Sequence, residues 1–489
     1  MVKLYVMGKL INNLPTIIYA INFLIAIGII FFDRRRTSSA TLAWIMVLFL
    51  LPVIGLVLFL LFSQNLTRYK VSKLDQYEQL MADDELSTQI AEMKEGHFPF
   101  KNQSSEKWQS LIGLNQKYGK SYLTQNNTVE FFTSGTEKFD SLKKDIKDAK
   151  KCINLEYFIV KPDRVGLELI KLLTEKAREG VEVRLLLDAV GCSKLKYHSY
   201  KRLVDAGGQV ALFFPSRLFN VNWQLNYRNH RKIVTIDNKI AYIGGYNVGL
   251  EYLGISNKFT GWRDTHIKIL GESVEDLNNR FVLDWRFASK EKLEFSPYDY
   301  EGSEEIGSTA IQIVSCGPDS PETEIKQAFL KMISSAKKSI YIQTPYFVPD
   351  ESIFEALKGA ALSGLDVRIM IPNKPDHPFV YWETYQNVGR LIASGVRTFI
   401  YDSGFMHAKT MVVDGEVCSV GSANFDIRSF TLSFETTAII YDQNCAKQMN
   451  EFFMNDIEHS RELTKVVYEH RSRWIKVKEA IGHLGSDLF

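Results

Sequence analysis

Two stretches of this chain share one spacing. HRKIVTIDNKIAYIGGYN runs from His230 to Asn247 and HAKTMVVDGEVCSVGSAN from His407 to Asn424, with histidine, lysine, aspartate, glycine and the closing asparagine in register. Segments before them repeat in the same order. INLEYFIVKPD (Ile153 to Asp163) resembles IYIQTPYFVPD (Ile340 to Asp350), GVEVRLLLD (Gly180 to Asp188) parallels GLDVRIMIP (Gly364 to Pro372), and KRLVDAGGQVALFF (Lys201 to Phe214) parallels GRLIASGVRTFIYD (Gly389 to Asp402). Recurrence in one order predicts a duplicated α/β unit, in which each strand–helix pair buries one apolar face against a sheet. The 489 residues suit more than one core. The halves should part within Ser296–Thr309, which is polar and contains glycine.

Each motif reads as a strand and its turn. TMVVD and VCSVGS flank the hairpin signal DGE, and KIVTID and IAYIGG flank NK. Residues two apart on a strand point the same way, so His230 and Lys232 share a face, as do His407 and Lys409.

The amino terminus is of another kind. Leu14–Phe32 and Thr41–Phe62 contain no charged residue. Each is long enough, at helical rise, to cross roughly 30 Å of hydrocarbon. The expectation is a two-helix transmembrane hairpin joined by DRRRTSSA, giving a multi-pass protein of the cell membrane. The positive-inside rule leaves its orientation open, because Arg34, Arg35 and Arg36 oppose Lys3, Lys9, Arg68, Lys70 and Lys73. The predicted organisation is thus a hairpin over 1–63, a polar, helical connector over 64–126 that lifts the rest off the bilayer, and α/β domains over 127–302 and 303–489.

A histidine beside a lysine, with an asparagine returned by the hairpin, suits a phosphate: lysine supplies a point charge, Asn247 and Asn424 amide donors, Ser422 a hydroxyl. A lone histidine cannot be both nucleophile and acid for the leaving group. Two half-sites facing each other supply both: one imidazole attacks phosphorus and becomes a phosphohistidine, while the other protonates the departing oxygen and then deprotonates the incoming hydroxyl. The candidate catalytic set is therefore His230, Lys232, Asp237, His407, Lys409 and Asp414. The two aspartates close strands at hairpin turns and are read as structural members of it. The carboxylates expected to orient the imidazoles are Glu435, in SFTLSFE, for His407 and Asp264, in WRDTH, for His230.

The paired HxKxxxxD segments followed by GGYN and GSAN resemble the phospholipase D superfamily, and GGYNVGLEYLG, WRDTHIKILG and GSANFDIRSFTLSFE are similar to its bacterial cardiolipin synthases. The resemblance implies duplicated phospholipase D-like domains, mixed sheets flanked by helices and related by a pseudo-twofold, behind the hairpin. It implies that His230 attacks the phosphorus of one phosphatidylglycerol and a second phosphatidylglycerol resolves the intermediate, giving cardiolipin and glycerol. His407 would be acid and base, with neither metal nor cofactor. The wider superfamily often has serine where this chain has Gly245, so the first half has one hydroxyl donor fewer.

The expected partners are phosphatidylglycerol, other anionic lipids and the membrane. A net charge of +2 does not suggest a nucleic-acid binder. Oligomeric state is silent in the sequence. Cys152, Cys192, Cys316, Cys418 and Cys445 lack CxxC spacing and read as core thiols. The aromatic-rich Ala211–Asn229 could line acyl-chain access, and the basic, Trp474-bearing tail from Glu469 could lie on anionic lipid. Two rivals remain: a membrane-bound phospholipase D that uses water as acceptor, and a non-catalytic scaffold binding anionic lipid.

Overall fold

The computed structural model describes residues 2–32, 38–62, 84–215, 227–255, 261–295, 305–320, 322–374 and 376–486. Parts of the joining loop, the connector, the aromatic stretch and the predicted boundary lie outside them.

Two mixed sheets carry the molecule. In the first, strands run in the order Asn127–Phe132, His266–Gly271, Ile240–Gly244, Lys232–Ile236, Cys152–Tyr157, Glu182–Asp188 and Gln209–Phe213. The second repeats that order with Ala310–Cys316, Ser433–Tyr441, Val417–Gly421, Thr410–Val413, Ser339–Gln343, Asp366–Pro372 and Arg397–Tyr401, then adds Ser460–Glu462 at the edge. In both, three neighbouring strands pair in parallel and the motif hairpin pairs antiparallel beside them. Parallel strands need crossovers, and helices such as Arg164–Arg178 and Glu351–Leu362 provide them. The sheets meet over a shared apolar core: Ile233, Ile243, Ile267 and Ile269 of one pack with Val412, Val420, Ala438 and Ile440 of the other. Burial of motif-strand residues on both faces explains why KIVTI and TMVV are continuous apolar runs rather than alternating ones.

Over its described part the connector is no spacer. Helix Gln109–Gly119 places Leu111 and Ile112 in the core of the second sheet. Buried Asn115 donates from Nδ2 to Gln312 Oε1 at 3.0 Å and to Tyr441 Oη at 3.2 Å. Of the aromatic stretch, Phe213, Phe214 and Tyr227 pack with Phe281, Trp285 and Phe434 in a core cluster.

At the amino terminus one helix among the described residues, spanning Asn13–Phe31 within Val2–Phe32, is long and apolar enough to cross a membrane. The second predicted span is not one helix: it divides into Ser38–Leu50 and Pro52–Phe62. The cause is Pro52, whose ring nitrogen has no hydrogen to give the Leu48 carbonyl. Buried Asn22 of the long helix donates its amide to that carbonyl at 2.7 Å and to Pro52 O at 3.1 Å. The Leu48 carbonyl that the break leaves without its helical donor is thus taken up by the side-chain amide of a buried polar residue.

Candidate active site

Each histidine is delivered by a two-residue strand. Arg228–Asn229 pairs in parallel with Ser433–Phe434, and one residue further on His230 stands opposite Glu435. Trp262–Arg263 pairs in parallel with Phe405–Met406, and the next residues are Asp264 and His407. The backbone N–H of His230 donates to Phe434 O at 2.9 Å and that of His407 to Arg263 O at 2.7 Å. Both ladders join one half of the chain to the other.

This crossing reverses the expected carboxylate pairing. His230 Nδ1 lies 3.0 Å from both Glu435 oxygens, and His407 Nδ1 lies 2.6 Å from Asp264 Oδ2. The two carboxylates do hold the imidazoles, but each serves the histidine of the opposite half. Sequence proximity suggested partners within a half; the parallel ladders, invisible in the sequence, decide otherwise. A neutral imidazole that donates from Nδ1 keeps its lone pair on Nε2. Phe158 meets the His230 ring edge-on at 4.7 Å between centroids, and Trp262 lies 5.0 Å from that of His407.

Lys232 and Lys409 each donate from Nζ to the carbonyl of their own motif histidine at 2.5 Å. Burial pushes Lys232 down to about 7 against the pull of Glu435, and Lys409 down to about 8 against Asp264. Burial also lowers His230, partly offset by Glu435, whereas burial and Lys409 take His407 to about 4. Asp264 is fully buried, which alone would raise it; His407 and Lys409 outweigh that and hold it below the usual carboxylate range. Lys409 acts on His230 and Lys232 on His407, so the two motifs share one electrostatic site.

The remaining candidates divide. Asn247 Oδ1 accepts the Ile159 N–H at 3.2 Å, and Asn424 Oδ1 is buried without a partner in the chain. Ser422 does not present its hydroxyl as a phosphate donor: it donates to Glu435 Oε2 at 2.5 Å while accepting the Thr436 N–H at 3.0 Å. Gly245 has no hydroxyl for a related reason, since a Cβ there would lie 1.9 Å from Asp264 Oδ1. The serine missing from the first half leaves the room that the Asp264 carboxylate fills.

Asp237 and Asp414, included in the candidate catalytic set, are not with the histidines. They sit beyond the far ends of the motif strands, where Asp237 accepts the N–H groups of Lys150, Lys151 and Cys152. Asp414 accepts those of Lys337, Lys338 and Ser339. At about 3.3 Å per strand residue, five to seven residues put them roughly 20 Å away. Both adopt a left-handed backbone, with φ of 53° and 57°, as turn aspartates tolerate.

Sequence reasoning missed two arginines. Arg231 is 1% exposed; its Nε donates to Glu435 O at 3.2 Å and to Thr436 Oγ1 at 2.9 Å, and its Nη1 to Asp284 at 2.5 Å. Arg263 grips Asp264 O from Nη1 at 2.5 Å and Asp456 from Nε at 2.8 Å. Each arginine thus fixes the backbone of an imidazole-holding carboxylate. The available signal was their place beside a motif residue, in HRK and WRD. Also missed was Lys138, fully buried, which donates to Tyr157 Oη at 2.8 Å and is pushed by burial to about 7, with Asp264 opposing. Among the described residues no group of three or more His, Cys, Asp or Glu side chains is placed to hold a metal.

A doubled α/β fold in which each half completes the other's imidazole–carboxylate pair is the architecture of a phospholipase D-like protein. Residues 142–258 and 329–457 match the family model "Cardiolipin synthase, PLD-like domain", and 20–64 match "Phospholipase D-nuclease N-terminal". The cardiolipin synthase of Listeria welshimeri is 44% identical over 480 residues, 98% of this chain and 99% of that protein. The major cardiolipin synthase ClsA of Bacillus subtilis (strain 168) is 45% identical over 476 residues, 97% and 98% of the two chains. The chain belongs to the cardiolipin synthase family. Among solved structures, a phosphatidylserine synthase of Haemophilus influenzae superposes with a TM-score of 0.59 at 15% identity, over 77% of this chain and 96% of that one, a likeness of fold.

Proposed function

We propose that the protein is a cardiolipin synthase that moves a phosphatidyl group between two phosphatidylglycerol molecules. His230 Nε2 attacks the phosphorus of the first lipid; the bond to the glycerol oxygen breaks, and glycerol leaves with a proton from His407. A hydroxyl of the second lipid then gives its proton to His407 and attacks phosphorus, and the His230–phosphorus bond breaks. Products are cardiolipin and glycerol. Lys232 and Lys409 offset charge on the non-bridging oxygens, with Asn247 and Asn424 completing the cradle. Asp237 and Asp414 have a structural role.

The observation that carries this reading is the pair of Nδ1-anchored imidazoles, one from each half, in a site with two lysines. We assign His407 as acid and base: Asp264, held below the usual carboxylate range and 2.6 Å from His407 Nδ1, can support an imidazolium there. Burial and Lys409 hold that imidazole near 4 in the empty site, and a phosphate between the lysines would offset their charge and raise it.

For the amino terminus we take the long helix and the broken second stretch together as a hairpin that anchors the protein in the cell membrane. The catalytic halves divide near residue 302.

The test is to incubate the detergent-purified enzyme with phosphatidylglycerol and a chelator and resolve the lipids by mass. Cardiolipin with released glycerol is expected. Phosphatidic acid instead would make water the acceptor and overturn the transferase reading.

A further inference from the structure

The carboxyl-terminal helices leave an unusual surface beside the site. Helix Lys465–Glu469 exposes Val466 (65%) and Val467 (55%), and helix Arg473–Ser486 exposes Trp474 (66%) and Val477 (44%). Five cations, Lys465, Arg471, Arg473, Lys476 and Lys478, stand among them against two carboxylates. One of these, Glu479, is buried and pairs with Arg471 at 2.6 Å; the other, Glu469, makes an exposed 3.8 Å pair with Lys465.

One end of this surface meets the helix that starts near Lys409, the side we take as the catalytic mouth. Helix Arg473–Ser486 packs on helix Pro378–Ile392: a Cβ at Gly482 would lie 3.0 Å from Phe379 O, and Lys478 Nζ stands 4.6 Å from the Trp382 ring centroid. Phe379, 67% exposed, is the second residue of that helix and lies three residues after Asp376, whose charge acts on Lys409 and whose carboxylate accepts from Tyr346 Oη.

We infer that Phe379 and the exposed face of residues 465–478 form an interfacial docking surface that seats the catalytic mouth on an anionic bilayer. This rests on the reading that the substrate is a bilayer lipid. Aromatic and aliphatic side chains interleaved with lysine and arginine are what the headgroup boundary of an anionic membrane takes up, the rings among the upper acyl carbons and the cations among phosphates. A second copy of the chain suits the surface poorly, since a twofold contact would set the same cations against themselves. The amino-terminal helix is one attachment point. A second attachment point fixes which face meets the lipid.

The experiment uses full-length protein in vesicles of phosphatidylglycerol and phosphatidylcholine, with and without brominated acyl chains. Tryptophan quenching is compared between wild type and Trp474→Phe, because Trp44 in the anchor is quenched in both. The expected result is that Trp474→Phe removes a quenched component. A companion variant, Val466→Ser, Val467→Ser, Trp474→Ser and Val477→Ser combined, should need at least five-fold more phosphatidylglycerol, as mole fraction in the vesicle, for half-maximal rate. Its kcat, and its rate on detergent-dispersed short-chain phosphatidylglycerol, should match wild type. Unquenched Trp474, or an unchanged lipid requirement, overturns the proposal. So does a detergent-solubilised dimer that the variant disperses, which would make a second copy the occupant. Were wild type to make no cardiolipin from either substrate, the functional reading would fail while quenching still decided the docking.

Discussion

At the scale of single residues, one glycine and one serine at equivalent positions do different work. Gly245 yields its space to Asp264, whereas Ser422 reaches out to hold Glu435. Gly245→Ala should push Asp264 off His407 and lower kcat by roughly a hundred-fold or more, the scale of losing an imidazole's orientation. Full activity in a folded Gly245→Ala enzyme would show that the Asp264 contact is dispensable. Ser422→Ala leaves Glu435 its two contacts to His230 and should cost about ten-fold. Replacement of either motif histidine by alanine should abolish turnover, and appreciable activity in either variant would sink the two-imidazole mechanism. The lysines predict opposite effects of pH. Since Lys232 stands at about 7 and Lys409 at about 8 when the site is empty, raising pH through that range strips the cations that bind phosphate, so KM should climb. Stability of the empty enzyme should rise over the same interval, because unfolded lysines keep their protons to about 10.4 and the unfolded state binds more of them. A KM flat from pH 7 to 9 would show that both lysines keep their charge without substrate, and would overturn the lowered values.

At the scale of elements, the motif hairpins were legible and their partners were not. KIVTID and TMVVD announce strands through β-branched apolar runs, and the turn chemistry of Asp237 and Asp414 follows from their place at a strand end. Each aspartate gathers three backbone N–H groups from the segment leading into the neighbouring strand, pinning the hairpin to the sheet. Asp237→Asn should therefore lower stability by ~1–2 kcal/mol, discounted for its exposed setting, and leave kcat per folded molecule nearly intact. Thermal unfolding beside activity normalised to folded protein checks this, and a well-folded, inactive variant would return Asp237 to the chemistry. The carboxyl is held low by those N–H groups, though burial opposes them, so its stabilisation is complete above the ordinary aspartate range and fades as pH falls below it. By contrast Arg228–Asn229 and Trp262–Arg263 are two-residue strands without periodicity, and two residues are too few to carry a pattern. The break at Pro52 was legible in principle, but hydropathy counts length and charge and overlooks the missing N–H.

At the scale of the whole molecule, duplication was plain from the repeat, yet the repeat could not say that the halves exchange ligands. Internal similarity describes what each half contains; which half a side chain serves depends on the interface that the shared core of the two sheets creates. That exchange makes the site a property of the complete chain, and thermodynamic coupling tests it. In a double-mutant cycle read by thermal unfolding, His230→Ala with Glu435→Gln, and His407→Ala with Asp264→Asn, should be non-additive by ~1–3 kcal/mol, as groups in direct contact are. The same substitutions recombined within a half, His230→Ala with Asp264→Asn and His407→Ala with Glu435→Gln, should be coupled more weakly than the crossed pairs, since those groups share the lysines but no hydrogen bond. Were the within-half pairs coupled and the crossed pairs additive, each half would hold its own histidine, and the two parallel ladders between the halves would have to be discarded with the mechanism built on them.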